Sequence, residues 1–114
     1  MTAETRIAAE ALAEIGRQVE RWGEQNHPDI SRYDHAPSAR SEYRDRANRW
    51  KAANDGRAMI DSTAWDGILL EEVYEALAEA DPAQLRAELV QVAAVAMNWI
   101  GALDRRARAS QGEG

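Results

Sequence analysis

Two clusters of polar side chains in the second half of the chain have residue types and spacing suited to holding a metal ion. Glu71, Glu72 and Glu75 are followed, after a spacer of twelve residues, by Glu88 and Gln91. A helix turns about 100° per residue, so side chains three or four residues apart share a face. Each cluster would therefore project from one side of its own helix. Two such helices side by side would form the kind of oxygen-lined cage that binds Mg²⁺.

The alternative is that these acids are an ordinary solvated helix face. Like charges at these spacings destabilise an isolated helix by about 0.2–0.5 kcal/mol per pair, unless a cation compensates them. Glu88 and Gln91 also lie among Leu89, Val90 and Val92, in the most apolar stretch of the chain. We expect this polar pair to be buried, and buried polar groups need partners. Carboxylates of the preceding helix around an ion would supply them.

Composition limits the class of protein. The 114 residues, 45% hydrophobic and 30% charged, predict one domain over residues 1–109 and a frayed tail at 110–114. A net charge of -6 argues against nucleic-acid binding. Cysteine is absent, which suits the cytoplasm, and no apolar run approaches the roughly 18 residues of a membrane span.

The chain lacks Phe and has only three prolines, which favours an all-α fold. We expect four helices, over about residues 4–22, 38–54, 64–79 and 82–106. Their ends are marked by residues that commonly stop or cap helices: Gly23, Asn54-Asp55-Gly56, Ser62 or Thr63, and Asp81 before Pro82. Apolar residues at helical spacing are expected to form the core: Ile7, Leu12, Ile15 and Val19 on the first helix, Ile68, Leu69, Val73 and Leu77 on the third, and Leu85, Leu89, Val92, Ala96, Ile100 and Leu103 on the fourth.

The acidic pattern resembles the signature of the MazG-like all-α nucleoside triphosphate pyrophosphohydrolases. The family signature begins with Glu-Glu-x-x-Glu. A spacer of about a dozen to some thirty residues follows, and the signature ends with Glu-x-x-Asp. The likeness is strongest from Trp65 to about Arg106. The segment Trp22–Pro28 extends it, because it is similar to a Trp/Gln/His-Pro segment that precedes the acidic helix in several branches of the family.

The resemblance implies a four-helix bundle-like fold completed by dimerisation. It implies a homodimer, with a tetramer as the alternative. The implied reaction is hydrolysis of (deoxy)nucleoside triphosphates to the monophosphate and pyrophosphate, with Mg²⁺ as cofactor and Mn²⁺ as a substitute. Clearing of surplus or non-standard nucleotides is the implied role.

Site residues follow by matching the motif. Glu72 and Glu75 correspond to metal-binding residues, and Glu88 to the first acid of Glu-x-x-Asp. Glu71 is the leading Glu, a candidate for a second ion or for orienting the attacking water. Gln91 departs from the pattern, because an amide replaces the family Asp; its carbonyl oxygen can still bind a hard cation. Because of Gln91, the alternative function is that of a catalytically weak nucleotide-binding or sensing module.

Further residues are candidates for holding the substrate. Trp22 could stack on a base, while Gln25 and His27 could read its edge. Their structural alternatives are a core-filling Trp22 and a turn formed at His27. The other candidates are Asn98, for phosphate or sugar, and Lys51 and Arg57, for the outer phosphates, with helix packing and ordinary surface charge as the alternatives. A helical interaction protein with acidic surface residues is the third functional interpretation.

Overall fold

The structure is a computed structural model that describes residues 1–112. It contains four helices: α1 (Ala3–Trp22), α2 (Ala36–Met59), α3 (Trp65–Ala78) and α4 (Pro82–Ser110). No strand occurs within residues 1–112, so the all-α prediction is confirmed. Across the same residues, no helix combines the length and the apolar character needed to cross a membrane. The frayed tail predicted for residues 110–114 lies partly outside the described residues.

The described chain forms two compact units. One contains Met1–His27 together with the chain from Ala96 onward, and the other is Pro28–Val95. α1 belongs to the first unit, whereas α2 and α3 belong to the second. The prediction of one domain over residues 1–109 stays a prediction.

In the first unit, α1 begins and ends close to the predicted positions. The Thr2 hydroxyl accepts a hydrogen bond from the Thr5 N–H at 3.1 Å. Gly23, with φ 69°, ends the helix in a backbone region that favours glycine, and its N–H donates to the Val19 carbonyl at 2.7 Å. Ile7 is buried at 5% exposure, and its Cδ1 lies 3.7 Å from where a β carbon on Gly101 would be. A β carbon at Gly101 would therefore be in ordinary van der Waals contact with Ile7.

The core expected along the rest of α1 is wrong. Leu12, Ile15 and Val19 are 66%, 54% and 53% exposed. α4 shows the same departure at Leu89, Ile100 and Leu103, which are 52%, 41% and 49% exposed. Helical periodicity identifies an apolar face correctly, but it does not determine whether this chain or another molecule covers that face.

In the second unit, α2 packs directly against α3. Ala47 and Ala76 are both 2% exposed, and residues this small let two helices approach closely. The rings of Tyr43 and Tyr74 stack across the same contact, with centroids 6.3 Å apart and 24° between their planes. This contact fixes the position of the helix that carries the first acidic cluster.

The end predicted for α2 at Asn54-Asp55-Gly56 is wrong, because the helix continues to Met59. Gly56 stays within the helix, with open space where a β carbon would be. Asn54 does not act as a stop, because its side-chain amide is engaged with α3. The chain turns at Asp61 instead, which has φ 54°, a conformation that Asp tolerates better than most residues.

The cap predicted for α3 is also wrong. Ala64 occupies the capping position, without a side-chain hydrogen bond, so neither Ser62 nor Thr63 caps the helix. Asp66 compensates within the first turn, since its Oδ1 accepts the Gly67 N–H at 2.7 Å. A carboxylate here also suits the positive end of the helix dipole.

The start predicted for α4 is confirmed. Asp81 precedes Pro82 at the first helical position, and its Oδ2 accepts the Gln84 N–H at 3.0 Å. The helix then continues to Ser110, beyond the end predicted near Arg106. α3 and the first part of α4 together carry both acidic clusters.

Candidate metal centre

Three carboxylates of the second unit converge. One oxygen each from Glu72, Glu75 and Glu88 lie within 4.8 Å of one another, and all three residues are half-buried. α3 supplies two of them on one face, and α4 supplies the third. Both clusters identified by their spacing in the sequence therefore contribute to one group of acids.

The separation of these oxygens suits a small divalent cation. Mg²⁺ binds oxygen octahedrally at about 2.0–2.1 Å, which places neighbouring ligand atoms roughly 3 Å apart and opposite ones roughly 4.2 Å apart. The observed upper limit of 4.8 Å is slightly larger. Small rotations of the half-exposed side chains would be enough to close that difference. Glu72, Glu75 and Glu88 thus fit the ligand set of a divalent cation, with further positions left for water or substrate.

The electrostatics of the cluster also favour a cation. Burial raises the pKa of Glu72 above its usual range, and the charges of Glu88 and Glu71 raise it further. Burial likewise raises the pKa of Glu75, with Glu72, Glu71 and Glu88 adding to the effect and Arg44 opposing it. Ionisation of Glu72 and Glu75 is therefore less favourable than it would be in water. A bound divalent cation would remove that penalty.

Glu71, the remaining acid of the first cluster, makes a contact with α2. Asn54 Nδ2 donates to Glu71 Oε1 at 2.8 Å and to the Gly67 carbonyl at 2.9 Å. Sequence reasoning did not identify Asn54 as a partner of Glu71, because it is seventeen positions from Glu71 and resembles a helix stop. The roles suggested for Glu71, in binding a second ion or orienting water, stay predictions.

Gln91 does not have the buried environment expected for it. Gln91 is exposed, and Leu89 and Val90 are 52% and 55% exposed. Glu88, one turn earlier, is half-buried. The inference of burial from apolar neighbours in sequence is wrong here, because those neighbours are themselves largely in solvent. Coordination of a cation by Gln91 stays a prediction.

The two candidate phosphate-binding cations differ in their surroundings. Arg57 Nη1 donates to Asp66 Oδ1 at 2.9 Å, and the guanidinium lies 5.3 Å from the centroid of the Trp50 ring. The hydrogen bond from Arg57 lowers the pKa of Asp66, and the Gly67 N–H contributes to the same effect. Lys51 is exposed. Arg57 therefore has a structural role at the start of α3, and phosphate contact by either residue stays a prediction.

Arg44 is a cation near the site that the sequence did not single out. Its charge lowers the pKa of Glu75, opposing the neighbouring acids. Arg46, two residues on, pairs with Glu42 at 2.6 Å and lies 5.6 Å from the centroid of the Tyr74 ring. Charge alone could not have separated Arg44 from the other arginines of α2, since only the packing of α2 on α3 brings it near an acid.

The segment predicted to bind the base forms a cleft within the first unit. This cleft, of about 440 Å³ and largely open to solvent, is lined by Trp22, Glu24, Gln25, Asn26 and His27. The His27 ring nitrogen Nε2 lies 3.0 Å from Gln25 Oε1, within hydrogen-bonding distance. Trp22 is 60% exposed, so the alternative in which it fills the core is wrong. The Arg21 guanidinium lies over the Trp22 ring, 4.9 Å from its centroid. An exposed aromatic ring beside amide and imidazole groups has the chemistry of a base-binding surface.

Asn98 is exposed and belongs to the same unit as this cleft. A contact of Trp22, Gln25, His27 or Asn98 with substrate held at the carboxylates stays a prediction.

Comparison of the chain with protein-family models, curated proteins and solved structures finds no match.

Proposed function

We propose that this chain is a Mg²⁺-dependent nucleoside triphosphate pyrophosphohydrolase with a MazG-like all-α fold. The observation that carries the proposal is the convergence of Glu72, Glu75 and Glu88 within 4.8 Å. The spacing of the motif pairs these acids across two helices, and their raised pKa values and half-buried positions suit a divalent cation. Water attacks one of the two phosphorus atoms joined by the α–β bridging oxygen, and the bond from that phosphorus to the bridging oxygen breaks. A nucleoside monophosphate, pyrophosphate and a proton leave.

The side chains of the second unit have distinct roles in this reaction. Glu72, Glu75 and Glu88 hold Mg²⁺, or Mn²⁺ in its place, which when bound neutralises phosphate charge and makes water a better nucleophile. Glu71 stays outside this group and orients the attacking water. Lys51 and Arg57 are the candidates for the outer phosphates.

We propose that the Trp22 cleft recognises the nucleobase of the substrate. The cleft beside Trp22 has room for a nucleobase, which would stack on the exposed indole. Gln25 and His27 offer hydrogen-bonding groups to the base edge, and Asn98 offers an amide to phosphate or sugar. Replacing Trp22 by Ala should raise KM for the preferred nucleotide while leaving kcat nearly unchanged.

We also propose a cytoplasmic homodimer, with a tetramer as the alternative assembly. Leu12, Ile15 and Val19 form an apolar stripe on α1 that is more than half exposed in a single chain. A second copy would remove this stripe from water. Sedimentation of the native chain should give the mass of an oligomer, and Ile15→Glu should shift it to the monomer. A native chain that sediments as a monomer at micromolar concentration would contradict the assembly.

Pyrophosphate release tests the function. A panel of ribo- and deoxyribonucleoside triphosphates is incubated with Mg²⁺, with Mn²⁺ or with chelator. Glu72→Gln removes one ligand charge, and Glu10→Gln is the matched control, because Glu10 is an exposed Glu of α1. Metal-dependent release that is lost in Glu72→Gln and retained in Glu10→Gln supports the proposal. Release that is absent with every substrate, or equal in the two variants, contradicts it.

The exposed amide of Gln91 favours one second candidate, a nucleotide-sensing module with little turnover. A neutral ligand in place of the family Asp weakens the hold on a divalent cation. This candidate predicts that triphosphates raise the melting temperature without being hydrolysed. It also predicts that Gln91→Asp creates or strongly increases metal-dependent release, whereas an efficient native enzyme would gain little from that change.

A further inference from the structure

We propose that Asn54 is a positioning residue that fixes the Glu71 carboxylate for turnover. The inference rests on the proposed function and deepens it. Asn54 Nδ2 is 2.8 Å from Glu71 Oε1 and 2.9 Å from the Gly67 carbonyl oxygen, so one amide nitrogen links two points of α3, four residues apart. A contact from α2 thereby restricts the rotation of a charged side chain beside the acidic group.

The orientation of the amide is determined by its neighbours. Both partners of Asn54 Nδ2 are acceptors, and an amide turned by half a rotation would present its oxygen to them instead. Asn54 Oδ1 is buried and has no hydrogen-bond partner among the described residues. An unpaired buried oxygen is unfavourable. The two hydrogen bonds donated by the amide nitrogen therefore fix the orientation of the Asn54 side chain.

Gly67 makes this arrangement possible. Gly67 is buried, and a β carbon added there would overlap Asn54 Oδ1 and lie 2.7 Å from Arg57 Nη1. The amide oxygen thus occupies space that any other residue at position 67 would fill. Substitution of Gly67 should displace Asn54 without altering its chemistry. The structure therefore offers two independent ways to break the same contact.

The hydrogen bond from Asn54 matters because it limits the rotation of the Glu71 side chain. Glu71 is close enough to Glu72 and Glu75 to raise the pKa of both. Without Asn54, the Glu71 side chain would be free to rotate among these neighbours. Loss of the contact should consequently lower kcat, while the affinity for substrate and metal, which depends on other groups, changes little.

Kinetics of Asn54→Ala test the positioning role. Hydrogen bonds that orient a functional side chain from outside the site typically change activity by roughly 10- to 100-fold, so we expect kcat to fall by about that factor with KM nearly unchanged. Asn54→Asp should lower kcat at least as much, because the new carboxylate would face the Glu71 carboxylate and the Gly67 carbonyl oxygen. Asn48→Ala is the matched control, an exposed Asn of the same helix. If Asn54→Ala does not fold, Asn54→Ser and Gly67→Ala serve instead, and each should show the same fall in kcat.

A double-mutant cycle separates positioning from general damage. In a Glu71→Ala background, Asn54→Ala should cause no further loss of kcat, because its partner is already gone. The same cycle is measured by guanidinium unfolding in chelator, where no activity or metal is involved. The two substitutions should together change the unfolding equilibrium constant by less than the product of their separate effects.

The outcomes distinguish this inference from the function on which it rests. A native chain that releases no pyrophosphate overturns both. A native chain that is active, with Asn54→Ala equal to Asn48→Ala in kcat, overturns the positioning role alone. Independent effects of Asn54→Ala and Glu71→Ala in the unfolding cycle would overturn it as well, because they would show that the contact is not made in solution.

Discussion

Removing one charge from the acidic group should stabilise the metal-free protein. Glu72 has two carboxylate neighbours within 4.8 Å, on Glu75 and Glu88. Two charges at that separation repel by roughly 0.9 kcal/mol in water and roughly 3.5 kcal/mol at an effective dielectric constant of 20. Since these side chains are partly solvated, screening keeps the energy near the lower value. We therefore expect Glu72→Gln to raise the free energy of unfolding in chelator by about 1–2 kcal/mol, which corresponds to a melting temperature higher by roughly 5–10 °C.

The pH dependence of stability follows from the burial of these carboxylates first and from their mutual repulsion second. The pKa values of Glu72 and Glu75 are raised in the folded protein above their ordinary value of 4.5. As pH rises through 4.5, the unfolded chain therefore loses its protons first, and the folded state binds more protons than the unfolded one. Stability of the metal-free protein should fall as pH rises across this window and level off above the raised folded values. Glu72→Gln should flatten the fall.

Thermal unfolding by circular dichroism, in chelator and in Mg²⁺, is the assay. Mg²⁺ should stabilise the native chain, by about 2.7 kcal/mol at 100 times its dissociation constant, and should have little effect on Glu72→Gln. Glu10→Gln, the matched control, should lie within about 0.5 kcal/mol of the native chain in chelator. A Glu72→Gln variant that is less stable than this control in chelator would refute the reasoning. Equal stabilisation of both variants by Mg²⁺ would refute it too.

Two further predictions concern the start of α3. Gly67→Ala should destabilise the protein by about 1–3 kcal/mol, because its β carbon would overlap Asn54. Gly56→Ala, which has open space around it in α2, should stabilise the protein by about 0.5–1 kcal/mol. Urea unfolding that gives both changes the same sign would contradict the packing. The pKa of Asp66 is lowered by its hydrogen bond from Arg57, so its contribution to stability is present above its ordinary value of 3.8 and is lost as pH falls through the depressed pKa. Asp66→Asn should accordingly destabilise the protein at about pH 7, and the loss should shrink as pH falls below 3.8. A loss that does not change with pH would show that the carboxylate charge is not what stabilises the turn.

Local signals in the sequence were sufficient to locate the four helices and to predict that Glu88 lies close to Glu72 and Glu75. Asp81 before Pro82 marks the start of α4 because capping depends on neighbouring residues only. The spacing of Glu72 and Glu75 places both on one face for the same reason, and the short connection to α4 brings Glu88 to them.

Features that depend on residues distant in sequence could not be predicted. Asn54 has the composition of a helix stop, yet its amide is used by α3 and α2 continues for another turn. Gly67 has no distinguishing local signal, because its role is to leave space for a side chain from another helix. The exposure of Leu12 likewise depends on what packs against α1, which periodicity does not specify.

The most direct test of the proposed reaction is the identity of its products. Phosphorus NMR of a nucleoside triphosphate incubated with the native chain and Mg²⁺ should show pyrophosphate and the nucleoside monophosphate appearing together in equal amounts, with neither formed by Glu88→Gln. Appearance of the diphosphate and inorganic phosphate would contradict cleavage between the α- and β-phosphates. A spectrum that remains unchanged across the whole panel of nucleotides would contradict the hydrolase itself.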